Sequence, residues 1–149
     1  MAEIIADEGL DYIIGLLLKN SPATPPATLY VGLFTGGTAT TVPTNAATLA
    51  AMTGTFVEAA FAGYARQPIA AANWAALSVQ SGGRGSVGPQ VTFTATGSSA
   101  TAINGYFLCT VASGTAGVTL GWANFTEGAV ASLAVNDAIK VTPTFALTG

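Results

Sequence analysis

A change of period at Pro26 constrains this chain more than any other feature of its 149 residues. Before it, residues 4–19 repeat at helical spacing. On a 100° wheel Glu3, Asp7, Glu8, Asp11, Gly15 and Lys19 share one arc, and Ile5, Leu10, Tyr12, Ile13, Leu16 and Leu17 occupy the opposite one. Acids gather near the positive end of this helix, Lys19 sits near the negative end, and Asn20-Ser21-Pro22 stops it. Gly9 and Gly15 each weaken it by about 1 kcal/mol relative to alanine, so it needs tertiary support. Its apolar arc either covers an open sheet end of its own domain or docks in a neighbour, and self-packing is the favoured reading.

After Pro26 the apolar residues alternate, which is the spacing of strands. Residues 28–34, 91–96, 103–111, 118–125 and 138–147 alternate most clearly. Residues 64–69, 75–79 and 130–135 do so more weakly, for seven or eight strands in all. Gly36-Gly37, Ser81-Gly82-Gly83, Gly97-Ser98-Ser99, Ser113-Gly114, Glu127-Gly128 and Asn136-Asp137 supply turns between them. Pro143 cannot donate a ladder hydrogen bond and marks an edge strand or a bulge in the last run. The expected fold is mainly β, a jelly-roll-like antiparallel β-sandwich or barrel with an N-terminal amphipathic α-helix. It forms one domain over residues 1–149: the helix in 1–20, the sandwich in 27–149, and a Thr- and Ala-rich loop or arm near 35–55.

The surface of such a domain has little charge to draw on. Half the residues are apolar and 7% are charged, against a usual charged share of about 25%. A chain this poor in charge oligomerises, as a dimer or trimer of itself, or is held against other proteins. The net charge is −3, and the four basic residues Lys19, Arg66, Arg84 and Lys140 lie far apart, which argues against nucleic acid as a partner. The apolar run 12–18 falls short of the ~20 residues that cross a bilayer and follows acids, so neither a membrane span nor a signal peptide is expected.

Chemistry is equally scarce. There is no histidine, and Cys109 is the single cysteine, so an intrachain disulfide and the common zinc constellations are excluded. Cys109 reads as a small buried hydrophobe. Outside the helix the acids are Glu58, Glu127 and Asp137; the last two fall in turn sequences, and Glu58 is placed to pair with Arg66. Serine and cysteine nucleophiles lack their usual base. We expect no enzyme and no cofactor.

A Gly-x-Gly-x-x-Gly pattern stands at Gly83, Gly85 and Gly88, but it leads into a strand and no acid follows about 20 residues on, so it reads as a flexible glycine loop and not a pyrophosphate cradle. Arg84 at its tip, with Arg66, Tyr64 and Trp74, forms the candidate set for contact with neighbouring subunits. The aromatics serve core and interface packing. A carbohydrate-binding module stacking sugars on Trp74 or Trp122 is the rival from another class, although glycan binding is not the expected role.

The ordered series of segments resembles a family of small β-rich bacteriophage virion proteins. It runs from Asp7-Glu8-Gly9-Leu10-Asp11-Tyr12-Ile13-Ile14 through Leu29-Tyr30-Val31-Gly32-Leu33-Phe34-Thr35 to Glu58-Ala59-Ala60-Phe61-Ala62-Gly63-Tyr64-Ala65-Arg66-Gln67 before Trp74. Val91-Thr92-Phe93-Thr94-Ala95, Ile103-Asn104-Gly105-Tyr106-Phe107, Trp122-Ala123-Asn124-Phe125 and Ile139-Lys140-Val141-Thr142-Pro143 complete it. The resemblance implies a capsid cement or decoration protein, made in the host cytoplasm and bound to the major capsid protein on the outside of the shell. A tail, connector or fibre-attachment component is the near alternative. It implies no catalytic residues.

Overall fold

The alternating segments do form strands, and more of them than spacing alone resolves. A computed structural model describes residues 3–20, 24–36, 48–51, 57–80 and 83–147. In chain order the elements are β1 (Glu3–Ile5), α1 (Asp7–Lys19), β2 (Thr28–Thr35), β3 (Val57–Glu58), β4 (Gln67–Ala70), β5 (Ser78–Gln80), β6 (Gly83–Val87), β7 (Val91–Thr94), β8 (Ile103–Cys109), β9 (Thr119–Asn124), β10 (Ala138–Val141) and β11 (Thr144–Leu147). They form a six-stranded sheet in the order β1-β9-β8-β2-β3 with β4 also on β2, a pair β10-β7, and a three-stranded sheet β11-β6-β5. All these pairings are antiparallel. The result is mainly β and sandwich-like, with the helix at the N-terminal end.

The large sheet is buried on both faces, and its middle strands show why. Val31 and Leu33 of β2, Ile69 of β4 and Tyr106 and Leu108 of β8 share one core with Phe93, Ile139 and Val141, so β7 and β10 supply the layer on that side. Phe34, Phe107, Cys109 and Trp122 point the other way into a second core closed by Ala6 and Leu49. Large rings fit on this second face because glycine stands opposite them. Gly32 pairs with Phe107 and Gly105 with Phe34; a Cβ on Gly32 would collide with the Phe107 ring, and one on Gly105 would lie 2.7 Å from the Phe34 ring. Trp122 completes the stack, edge-on to Phe34 at 5.9 Å and tilted against Phe107 at 5.6 Å.

The structure departs from the spacing in four places. Residues 138–147 form two strands, because Thr142-Pro143 breaks the run and sends β10 to β7 and β11 to β6. Residues 83–87, read as a flexible loop, are the central strand of the three-stranded sheet. Gly85 is required there, since its Cβ would sit 2.5 Å from the Phe145 carbonyl oxygen. Residues 130–135 make only single bridges, Val130 with Ile103 and Leu133 with Ser99. The loop or arm expected near 35–55 lies largely outside the described residues; within it Leu49–Ala51 forms a single 3₁₀ turn with Leu49 buried.

The fourth departure is the helix. It begins at Asp7, because Glu3–Ile5 is spent as an edge strand on β9. It ends at Asn20, whose left-handed backbone (φ 50°) terminates it as the sequence implied. It is seated through Gly9, where a Cβ would come within 2.6 Å of the Leu120 carbonyl oxygen, and through Glu8, whose Oε1 accepts from the Thr119 and Leu49 amides at 2.5 and 2.9 Å. Such close approach rotates the helix away from the expected arcs. Glu8 turns inward, and Leu10 and Leu17, predicted to face the core, are exposed together with Ile14 and Leu18.

Replacing a helix glycine by alanine ordinarily stabilises by about 1 kcal/mol. Gly9→Ala is expected to do the reverse, costing about 1–3 kcal/mol by overpacking against β9, as measured by urea denaturation.

Candidate functional site

A few of this chain's scarce charges are used inside it, Glu8 beneath the helix and Glu58 with Arg66 in one node. Arg66 is 6% exposed. Its Nε and Nη2 donate to Glu58 Oε1 and Oε2 at 2.7 and 2.6 Å, Nη1 to Val111 O at 3.0 Å and Nη2 to Gly114 O at 2.9 Å. The guanidinium also lies 5.4 Å from the centre of the Phe107 ring. One side chain therefore ties the 58–66 segment to the turn after β8 and caps the second core. Burial works against its charge, but the Glu58 hydrogen bonds and neighbouring groups outweigh that and hold the guanidinium above its ordinary pKa.

Tyr64 extends the same node. Its hydroxyl donates to Glu58 Oε1 at 2.8 Å and accepts from the Leu33 amide at 3.1 Å, and its ring stacks on Phe93 at 5.9 Å. Burial, then the Glu58 charge, pushes this phenol far above its usual pKa. Cys109 is buried beside the node, with Sγ 3.3 Å from Val111 O, and burial pushes its thiol up. The expected Glu58–Arg66 pair is thus present, with Tyr64 joined to it.

The candidate contact residues separate in space and in kind. Arg66 and Tyr64 hold the fold together. Trp74 is half-buried against the first core. Arg84 alone is exposed, and it stands in register between Val79 and Leu147 across the three-stranded sheet. Val79 is 72% exposed, and Leu77, whose carbonyl accepts from Arg84 at 3.4 Å, is 69% exposed. An arginine among exposed aliphatics is a common composition for a protein contact. Trp122, the other candidate platform for sugars, is 2% exposed and enclosed by Phe34 and Phe107, so no ligand stacks on it.

Two further features escaped the sequence reading. The first is the outer stripe of α1, where Leu17 and Leu18 are 74% and 80% exposed beside Leu10 and Ile14. Leu10, Ile14 and Leu17 follow the 4-then-3 spacing that packs against another helix. The second is a groove of about 550 Å³ between β10 and residues 125–133, with Phe125 and Val130 in its wall and Glu127, Asp137 and Lys140 at its margin. Among the described residues no three His, Cys, Asp or Glu side chains gather into a metal-holding group, and no helix is long and apolar enough to cross a membrane. What the surface does offer is apolar and backbone contact.

A family model described as podophage GP4 fiber I protein gp80 matches residues 10–147. The chain belongs to that family. It is accordingly a structural protein of the phage virion, in line with the resemblance drawn from its motifs. Among curated proteins none matches the chain. The match spans the strands that build both cores, the Glu58–Tyr64–Arg66 node and the groove.

Arg66→Ala strands a half-buried Glu58 and two carbonyls. It is expected to cost about 3 kcal/mol, visible as a lower urea midpoint. Tyr64 supplies a pH signature. Its folded pKa lies above the unfolded value of about 10, so its contribution is complete below pH 10. It is lost as pH rises further, because the unfolded chain alone can ionise. The melting temperature should therefore fall more steeply above pH 10 in the native protein than in Tyr64→Phe.

Proposed function

We propose that this chain is a component of the fibre or tail apparatus of a podophage and works by docking against neighbouring subunits, with no catalytic step and no cofactor. The family description supports the fibre reading over the capsid cement expected from composition and resemblance, since it refers to a fibre protein and not to the shell. The observation that carries docking is the stripe Leu10, Ile14, Leu17 and Leu18. It remains exposed although the helix is already seated through Gly9 and Glu8. A contiguous run of exposed aliphatics at helix-packing spacing marks a protein contact more often than bare surface. Among the described residues α1 is the single α-helix, so none of them offers a partner helix for the stripe. A second copy brings the same stripe, which favours self-association.

Counting copies in purified particles tests the location. A fibre or tail component is expected at a small fraction of the major shell protein, whereas near-equal abundance would return the cement role. The paired change Leu17→Glu and Leu18→Glu is expected to leave the melting temperature within a few degrees. It should lower the sedimentation coefficient of the free protein to that of a monomer and reduce incorporation at least tenfold. Unchanged association would remove the stripe from the interface.

A further inference from the structure

The groove beside β10 has a feature that side chains alone do not reveal. It meets Ala138, Ile139, Lys140, Val141 and Thr142 in succession. Side chains of a strand alternate between its faces, so a cavity that meets five consecutive residues runs along the strand's edge and meets its backbone. The other edge of β10 is occupied by β7.

The phase of that ladder identifies which peptide groups front the groove. The Ala95 amide donates to Asp137 O at 2.9 Å. In the register Ala138↔Thr94, Ile139↔Phe93, Lys140↔Thr92 and Val141↔Val91, hydrogen-bonded pairs alternate, so Ile139 and Val141 bond to β7. Ala138 and Lys140 then turn their N–H and C=O groups outward, and no described residue bonds to them. On the facing wall Val130 and Leu133 bond to Ile103 and Ser99, away from β10. The space between is bounded by strand edge on one side and by Phe125, Val130 and Leu133 on the other. At about 3.3 Å per residue the open edge of the four-residue β10 is about 13 Å long, enough for a short extended segment.

We propose that in the assembled particle a neighbouring virion subunit completes this edge, adding an extended segment as a strand beside β10 with a basic side chain turned toward Glu127 and Asp137. Two carboxylates, Glu127 and Asp137, and one cation, Lys140, line the groove, and only one oxygen of Asp137 is engaged, by the Ala134 amide at 2.7 Å, so the lining favours a cation in the occupant. Main-chain pairing supplies affinity and the apolar wall supplies register, as in strand addition generally. Lys140 and Pro143, at and just beyond the edge, discourage pairing with an unmatched strand before assembly. The inference rests on the reading of the chain as a virion component that docks to its neighbours.

Hydrogen exchange at residue resolution, on the free chain and on purified particles, tests it. The Ile139 and Val141 amides should be slow in both. The Ala138 and Lys140 amides should exchange freely in the isolated chain and at least tenfold more slowly in the particle. Equal exchange of these two amides in both states overturns the proposal while leaving the fibre reading intact; absence of the chain from particles overturns both. Slowing of the same amides in the free chain by maltotriose or chitotriose, without slowing in the particle, overturns strand addition and makes the groove a saccharide site. Lys140→Pro removes an outward N–H that β7 does not use. It should keep the free chain folded while cutting incorporation at least tenfold, and normal incorporation of a folded Lys140→Pro protein counts against the proposal.

Discussion

Burial of β2, β8 and β9 on both faces is the constraint on which the rest of the structure depends. A one-faced sheet would leave Phe34, Phe107 and Trp122 in water, and a two-faced one must find room for them beside its own backbone. Glycine opposite phenylalanine, twice across the β2–β8 ladder, supplies that room. Each glycine weakens its strand alone, because it has no side chain to pack. Here the partner strand's ring covers it, so the loss is offset by a contact that specifies register. A slip of one residue would drive the rings into each other and turn both cores inside out.

The second core also explains where the scarce charge has gone. Glu8 is spent on the Thr119 and Leu49 amides, and Glu58 and Arg66 on each other. A buried ion pair contributes little net stability, but breaking it is costly, so it acts as a lock between segments far apart in sequence. Drawing these groups inward leaves the outer surface poorer in charge than the composition suggests. The exposed aliphatics of α1 and of the three-stranded sheet stand among few charges, which suits a chain whose family is one of phage virion proteins.

Helix and groove represent two forms of the same unfinished packing. In the helix an apolar stripe has no layer above it. At β10 a ladder stops with peptide groups still turned outward. Isolated domains usually cover or blunt such features. Retaining both is consistent with a chain whose final contacts are made in an assembly, by side-chain packing in one place and by backbone pairing in the other.

Much was legible in the residues themselves. The switch at Pro26, the strong strands over 28–34, 91–96, 103–111 and 118–125, the stop at Asn20 and the Glu58–Arg66 pair all follow from local rules of period, capping and charge. Whatever depended on distant partners was not legible. Gly83–Val87 reads as a loop until Phe145 and Ala146 lie beside it, and the 138–147 run divides only because its halves find different strands. The helix faces were right for Tyr12, Ile13, Leu16, Asp7, Asp11 and Lys19 but not for Leu10, Leu17 and Glu8, because a wheel counts hydrophobicity, whereas Gly9 let backbone approach backbone and so chose the buried side. Sequence by itself thus determined which of the strongly periodic segments are strand or helix. Tertiary structure alone decided which faces and edges remain open, since exposure is a property of what the rest of the chain fails to cover.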